Sequence, residues 1–227
     1  MATTRLDRTK VARTALDLLN ETGLEGLTLR AIAKELDVKA PALYWHFKDK
    51  QALLDEMATE MMRRMSADFL ADPGPDWRVA IRTSMRGLRE HLLRYRDGAR
   101  VYSGTRFTDL SYAAPLEAHL RTLTGAGFTQ PAAARAWVTA YSFTIGYVIE
   151  EQATGPDGDG GEGGEDEGDG GGEGGGGLAA RAERLAAYPL AAAAGEELFH
   201  ARDRGFAAGL EAVIAGIGAT LAAPDTP

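Results

Sequence analysis

The 227 residues contain no cysteine. A disulfide framework, a thiolate nucleophile and a cysteine-based metal site are therefore all closed to this chain. Histidine is scarce, and the four present (His46, His91, His119 and His200) are scattered. There is no paired-histidine zinc helix, no nucleophile elbow and no glycine loop set before a helix to cradle phosphate, so an enzyme is not expected and no cofactor is implied. No apolar run approaches the roughly 18 residues that a membrane span needs, and no secretory hydrophobic segment is visible, so a cytoplasmic protein is expected. Strand-like alternation is missing as well. Lysine is confined to the first 50 residues, where all five lie.

What is present begins with residues 28–50, TLRAIAKELDVKAPALYWHFKDK. They read as helix, tight turn, helix, and the second helix sets Tyr44, Trp45 and His46 between flanking lysines. Large rings on a short, base-flanked helix are costly to leave in water without a partner. The major groove of double-stranded DNA admits one α-helix and is walled by phosphates, so it is the natural partner. The net charge of −8 looks unsuited to that task until its location is considered. Residues 157–177 are only Gly, Asp and Glu; removing their eight acids leaves 25 residues of each sign. Residues 1–50 carry nine basic against seven acidic side chains. Charge acts over roughly 8–10 Å in physiological salt, so the distant acids say little about the DNA-facing surface. The tract cannot pack a core, because glycine loses the most entropy on ordering and like charges repel. Residues 154–178 read as a disordered loop between two helices, the sharper alternative being an acidic mimic of DNA.

Helical periodicity runs through the rest. Residues 7–22 place Val11, Ala15, Leu18 and Leu19 on one face, with Gly23 as a stop. Thr28 can cap a helix whose Leu29, Ile32, Ala33 and Leu36 face inward, and Pro41 suits the first turn of the next. From Asp49 a helix is expected to about Leu70, striped by Leu53, Leu54, Met57, Met61 and Met65. Trp77, Ile81, Met85, Leu88, Leu92 and Leu93 mark another, ending near Gly98. A short turn is expected at 101–104, then helices at 111–125, 130–152, 178–194 and 203–222. The stripe Leu210, Val213, Ile214, Ile217 and Leu221 suits either a protomer core or a subunit interface. The fold class is all-α: a three-helix helix-turn-helix domain over 1–49 and a larger helical domain over 50–227 for ligand binding and dimerisation.

These residues carry a resemblance. The run RLDRTKVARTALDLLNETGLEGLTLRAIAKELDVKAPALYWHFKDKQALLDEMA, together with HLLRYRDGARVYSGTR at 91–106, AYSFTIGYVIEEQ at 140–152 and FAAGLEAVIAGI at 206–217, resembles the tetracycline-repressor family. The likeness implies a homodimer whose last helix and 130–152 helix form a four-helix bundle with the partner's, favouring the interface reading of the stripes. It implies a repressor that reads a palindromic operator and is released by a small-molecule effector. A ligand-independent regulator or an activator is the alternative.

Expected DNA contacts are Thr28, Arg30, Lys39, Ala40, Pro41, Ala42, Tyr44, Trp45, His46 and Lys50. Tyr44 and His46 suit phosphate oxygens, whereas Trp45 either meets DNA or packs beneath its helix. Arg30 either reads a guanine edge or is a solvated charge. Lys39 and Lys50 suit phosphates, and Pro41 with Ala42 a thymine methyl. Ala40 and Ala42 stand where tetracycline repressors have polar readers, so a different operator is expected. The resemblance puts the effector among Ser66, Ser84, Leu88, Tyr102, Thr105, Arg106, His119, Ser142 and Glu150. Thr105, Arg106 and Glu150 match the tetracycline-binding pattern. Tyr102 replaces the histidine that holds the drug's magnesium, and the drug-recognition positions carry Ser66, Ser84, Leu88, His119 and Ser142. A flat or polycyclic hydroxylated molecule bound without metal is expected, of an antibiotic or polyketide-like kind. Arg106 and Glu150 are either ligand contacts or a structural ion pair, and Gly98 and Gly104 are expected to form a hinge.

Overall fold

The computed structural model describes residues 6–68, 73–153 and 183–222. The expected loop at 154–178 lies outside them. The described residues form ten α-helices and no strand. The first three make a small head: α1 (Arg8–Gly26), α2 (Leu29–Glu35) and α3 (Ala40–Tyr44). Asp7 caps α1 by accepting from the Lys10 amide at 2.8 Å, and Thr28 caps α2 by accepting from the Ala31 amide at 3.1 Å. Such caps satisfy amides that the first turn leaves orphaned. Gly23 does not stop α1 as expected; it kinks the helix at φ +65°, and helical structure resumes to Gly26. Val11, Ala15, Leu18 and Leu19 are buried as their spacing predicts, against Ile32, Leu43 and Phe47.

The long helix α4 (Lys50–Asp68) joins the head to the body. Its stripe of Leu53, Met57, Met61 and Met65 is buried, while Leu54 is half-buried. One face of α4 packs on α1 and another on α6. Each such side chain taken fully out of water contributes roughly 1.5–3 kcal/mol, so α4 is held to both parts of the molecule.

The body comprises α5 (Trp77–Leu93), α6 (Gly98–Tyr102), α7 (Ala113–Gly125), α8 (Gln130–Ala153), α9 (Pro189–Phe199) and α10 (Arg202–Thr220). Helix α5 packs along α8, and α8 along α10. The five-residue helix α6 takes up Val101 and Tyr102, the first half of the turn expected at 101–104. Asp97 sits before it in the left-handed region at φ 58°, which redirects the chain, and one helical turn is too short to show periodicity. On α8 the stripe Ala140, Thr144, Ile145 and Val148 is buried. Leu210, Ile214 and Ile217 of α10 are buried within the single protomer. That corrects the interface reading of their stripe: the face α10 turns to solvent carries instead Ala208, Glu211, Ala212, Ala215, Gly216 and Ala219. No helix among the described residues is long and apolar enough to cross a membrane.

Candidate functional site

The head presents its rings outward. Trp45 is 89% exposed and Tyr44 56% exposed, because Leu43 and Phe47 take the inward positions and are fully buried. Trp45 thus does not pack beneath its helix. The tight turn before α3 depends on Asp37 at φ 52°, a left-handed conformation that aspartate tolerates, with the Val38 amide closing onto the Ala33 carbonyl at 2.9 Å. Thr28, Arg30, Lys39 and Pro41 are exposed around this surface, whereas Ala40, Ala42 and His46 are half-buried. Lys50 is already engaged: its Nζ donates to the Leu24 carbonyl at 2.9 Å and so ties α4 to the end of α1.

The body forms a partly open cavity of about 240 Å³ between α4, α5, α6, α7 and α8. Of the expected effector residues, Ser84, Leu88 and Tyr102 line it. The rest of the wall is Met62, Met65, Met85, Phe107, Tyr112, Pro115, Leu116, Trp137, Val138 and Tyr141, overwhelmingly apolar. His119 stands behind Ser84, with its Nε2 2.6 Å from the serine hydroxyl and its ring 4.3 Å from that of Trp137. The Tyr102 hydroxyl donates to Met62 Sδ at 3.3 Å. Burial, with a smaller effect of nearby Tyr141, pushes the Tyr102 phenol far above its ordinary pKa, and burial pushes Tyr141 upward too. Both phenols are neutral at any physiological pH.

Five expected residues fall elsewhere. Ser66 donates to the Ser111 carbonyl at 3.0 Å and Thr105 to the Tyr102 carbonyl at 2.8 Å, so both fasten backbone. Arg106 is exposed in a polar groove with Lys48, Asp49 and Asp55. Ser142 and Glu150 line a groove between α8, α9 and the start of α10, with Tyr147, Glu197 and Arg202. Arg106 and Glu150 therefore occupy different grooves.

Sequence reasoning missed a buried ionic junction where α1 meets α4. Glu56 and Glu60 are nearly inaccessible, and receive Arg8 and Arg13 from α1 and Arg63 and Arg64 from α4. Burial alone would raise the Glu60 pKa, but the Arg13 and Arg64 guanidiniums outweigh it and hold it below the usual range. The one available signal was spacing: both acids stand three residues after a stripe position (Leu53, Met57), inside the apolar face. Gln152 was missed too. Its side chain accepts from the Ala99 amide at 3.0 Å and donates to the Leu92 and Tyr95 carbonyls at 3.3 and 2.8 Å, tying the end of α8 to the α5–α6 turn.

Residues 12–57 match the model of the tetR family of bacterial regulatory proteins, and residues 70–221 match the tetracyclin repressor-like C-terminal domain. The chain belongs to the tetracycline-repressor family. Over 154 residues it is 44% identical to the class A tetracycline repressor from transposon 1721 of Escherichia coli, covering 68% of this chain and 71% of that protein. Among solved structures, a possible family regulator from Streptomyces coelicolor superposes with a TM-score of 0.77 at 36% identity, covering 94% of this chain and 99% of that one. A single-substitution variant of the repressor from Acinetobacter baumannii, solved in complex with minocycline, superposes at 0.71 with 32% identity, covering 96% and 100%. As a member of the tetracycline-repressor family the chain is a transcriptional regulator, related throughout its head and body to tetracycline repressors.

Tyr102, where the resemblance implies a magnesium ligand, does not suit a metal. Tyr102 offers a protonated, buried phenol that already donates to a thioether. Magnesium needs hard, well-solvated oxygen ligands in octahedral geometry.

Proposed function

We propose that this chain is a repressor that binds a palindromic operator as a homodimer and is released by a small, neutral, largely apolar molecule, polycyclic and hydroxylated, without magnesium. The observation that carries the reading is the cavity itself. Its wall takes Met62 and Met65 from α4, the helix that begins at the head. An occupant that prefers one placement of those side chains biases one placement of the head, and can shift the equilibrium only by that difference in affinity. A cavity of 240 Å³ is below the roughly 300–1,000 Å³ of a drug-sized site, so a larger occupant displaces methionines. Residues 1–49 serve as the DNA-binding domain and 50–227 as the ligand and dimer domain. The solvent-facing alanines and glycine of α10 support a close helix–helix contact between protomers. Two heads so joined enter successive major grooves about 34–36 Å apart.

In the head, Arg30, Lys39, Tyr44, Trp45 and His46 face DNA, with Thr28 and Pro41 beside them. The test is a gel shift on the chain's own upstream DNA, with a panel of neutral polycyclic phenols and with magnesium–tetracycline. The wild type is expected to bind and to be released by members of the panel. Arg30→Ala should cost roughly 1–3 kcal/mol of operator affinity and relax one base position. Release of the wild type by magnesium–tetracycline alone would overturn the metal-free reading. Failure to bind that DNA would overturn autoregulation.

A further inference from the structure

We propose that Glu56 is a positioning residue through which the segment walling the cavity sets the recognition helix α3. Its carboxylate is 3% exposed and collects donors from three separate elements. Oε2 accepts from Arg8 Nε of α1 at 2.9 Å and from the Thr108 hydroxyl of the α6–α7 connection at 3.0 Å. Oε1 accepts from Arg63 of its own helix at 3.1 and 3.2 Å. Its two oxygen atoms thus join the head, the long helix and the segment that carries the cavity residue Phe107.

Toward the body, residues 106–111 lie along α4 as a strap. The Arg106 amide donates to Asp55 at 3.1 Å, the Thr108 amide to the Thr59 hydroxyl at 2.8 Å, and Arg63 pairs with Asp109 at 2.8 Å. Within the strap Phe107 walls the cavity and stacks on Tyr112 at 5.4 Å. Toward the head, Arg8 uses its second arm to donate to the His46 carbonyl at 2.5 Å, and its guanidinium lies 4.6 Å over the Phe47 ring. One guanidinium thus spans from Glu56 to the residues that directly follow α3. A nearly dry carboxylate that loses a donor is strongly penalised. A shift of the strap that withdraws the Thr108 hydroxyl is therefore answered at Arg8, and through Arg8 at His46.

That the junction transmits cavity occupancy rests on the effector reading above; the junction itself is tested without ligand. In the full-length protein, hydrogen exchange is followed at the His46 and Phe47 amides, which close onto the Leu43 carbonyl. Thr108→Val removes one hydroxyl from an exposed residue and is expected to speed exchange there roughly three- to tenfold, the range one net hydrogen bond supplies. Amides within α8 should not change. Glu56→Met should speed the same two amides, and Thr108→Val added to it should change nothing further, since both act through one carboxylate. Unaltered exchange at His46 and Phe47 in Thr108→Val, or full additivity in the double variant, would overturn the proposal. Should Glu56→Met fail to fold, Arg8→Lys with and without Thr108→Val gives the same comparison. Because no effector is added, failure here leaves the effector reading to its own gel-shift test.

Discussion

The Ser84 hydroxyl lies 2.6 Å from His119 Nε2, and the other ring nitrogen, Nδ1, lies 2.8 Å from the Pro115 carbonyl. A carbonyl can only accept, so Nδ1 carries the hydrogen and Ser84 donates to Nε2. Burial holds the His119 pKa below its ordinary value, against the opposing effect of the Pro115 bond. The imidazole is therefore a neutral acceptor set behind the cavity wall. Ser84→Ala strands that acceptor and should destabilise the fold by about 1–3 kcal/mol, whereas Ser84→Thr retains the donor and should cost less. Urea unfolding of the two variants decides it, and equal losses would remove the hydrogen bond as the cause.

Acid should weaken the protein through His91. Its ring is 1% exposed, packs 5.5 Å from the Tyr95 ring, and has its pKa lowered from 6.5 to about 4, chiefly by burial and then by the Arg94 charge. The unfolded chain binds this proton more readily, so stability is complete above pH 6.5 and is lost as the pH falls toward about 4. The loss is on the order of 3 kcal/mol, at 1.36 kcal/mol per unit. His91→Leu should flatten the unfolding free energy over that window. An unchanged pH slope would assign the acid sensitivity elsewhere.

Gly98 and Gly104 are glycines for different reasons, and neither reason is the shared hinge expected from the sequence. A Cβ on Gly98 would lie 2.2 Å from the Leu92 carbonyl oxygen, a backbone atom that cannot swing aside. Gly104 has open space around it but a φ of +71°. Gly98→Ala should therefore destabilise by about 1–3 kcal/mol or more through overpacking. Gly104→Ala should cost about 1–2 kcal/mol through its left-handed backbone. Thermal unfolding should rank Gly98→Ala as the more damaging. The reverse order would mean that the α5–α6 turn yields more easily than its packing indicates.

Local pattern carried far in this chain. The apolar spacings of α1 and α4 place most of their cores, that of α5 does so except at Leu93, which is exposed, and the Thr28 cap begins its helix where the structure has it. The rings of Tyr44 and Trp45 stood out in the sequence, but the choice between exposure and packing at Trp45 was settled only by Leu43 and Phe47, which take the inward register. The cavity was legible only in part. Ser84, Leu88 and Tyr102 converge, but Ser142 and Glu150 face another groove because, along α8, they lie on a different side from Trp137 and Tyr141. The Glu56 junction was hidden, since its partners Arg8 and Thr108 are 48 and 52 residues away. Pairing at that range leaves no periodic trace.

The methionines of α4 and α5 give the cavity a further property. Met62, Met65 and Met85 form much of the surface an occupant would touch, and unbranched thioethers change shape by rotating about single bonds at little cost. Ligands of differing outline can then be accommodated while Leu88 and Trp137 keep their places. Such a wall discriminates weakly by contour and leaves polarity as the stricter filter. Under the proposed effector reading such a wall belongs to a broad sensor, and replacing a single thioether with a branched side chain should narrow its selectivity.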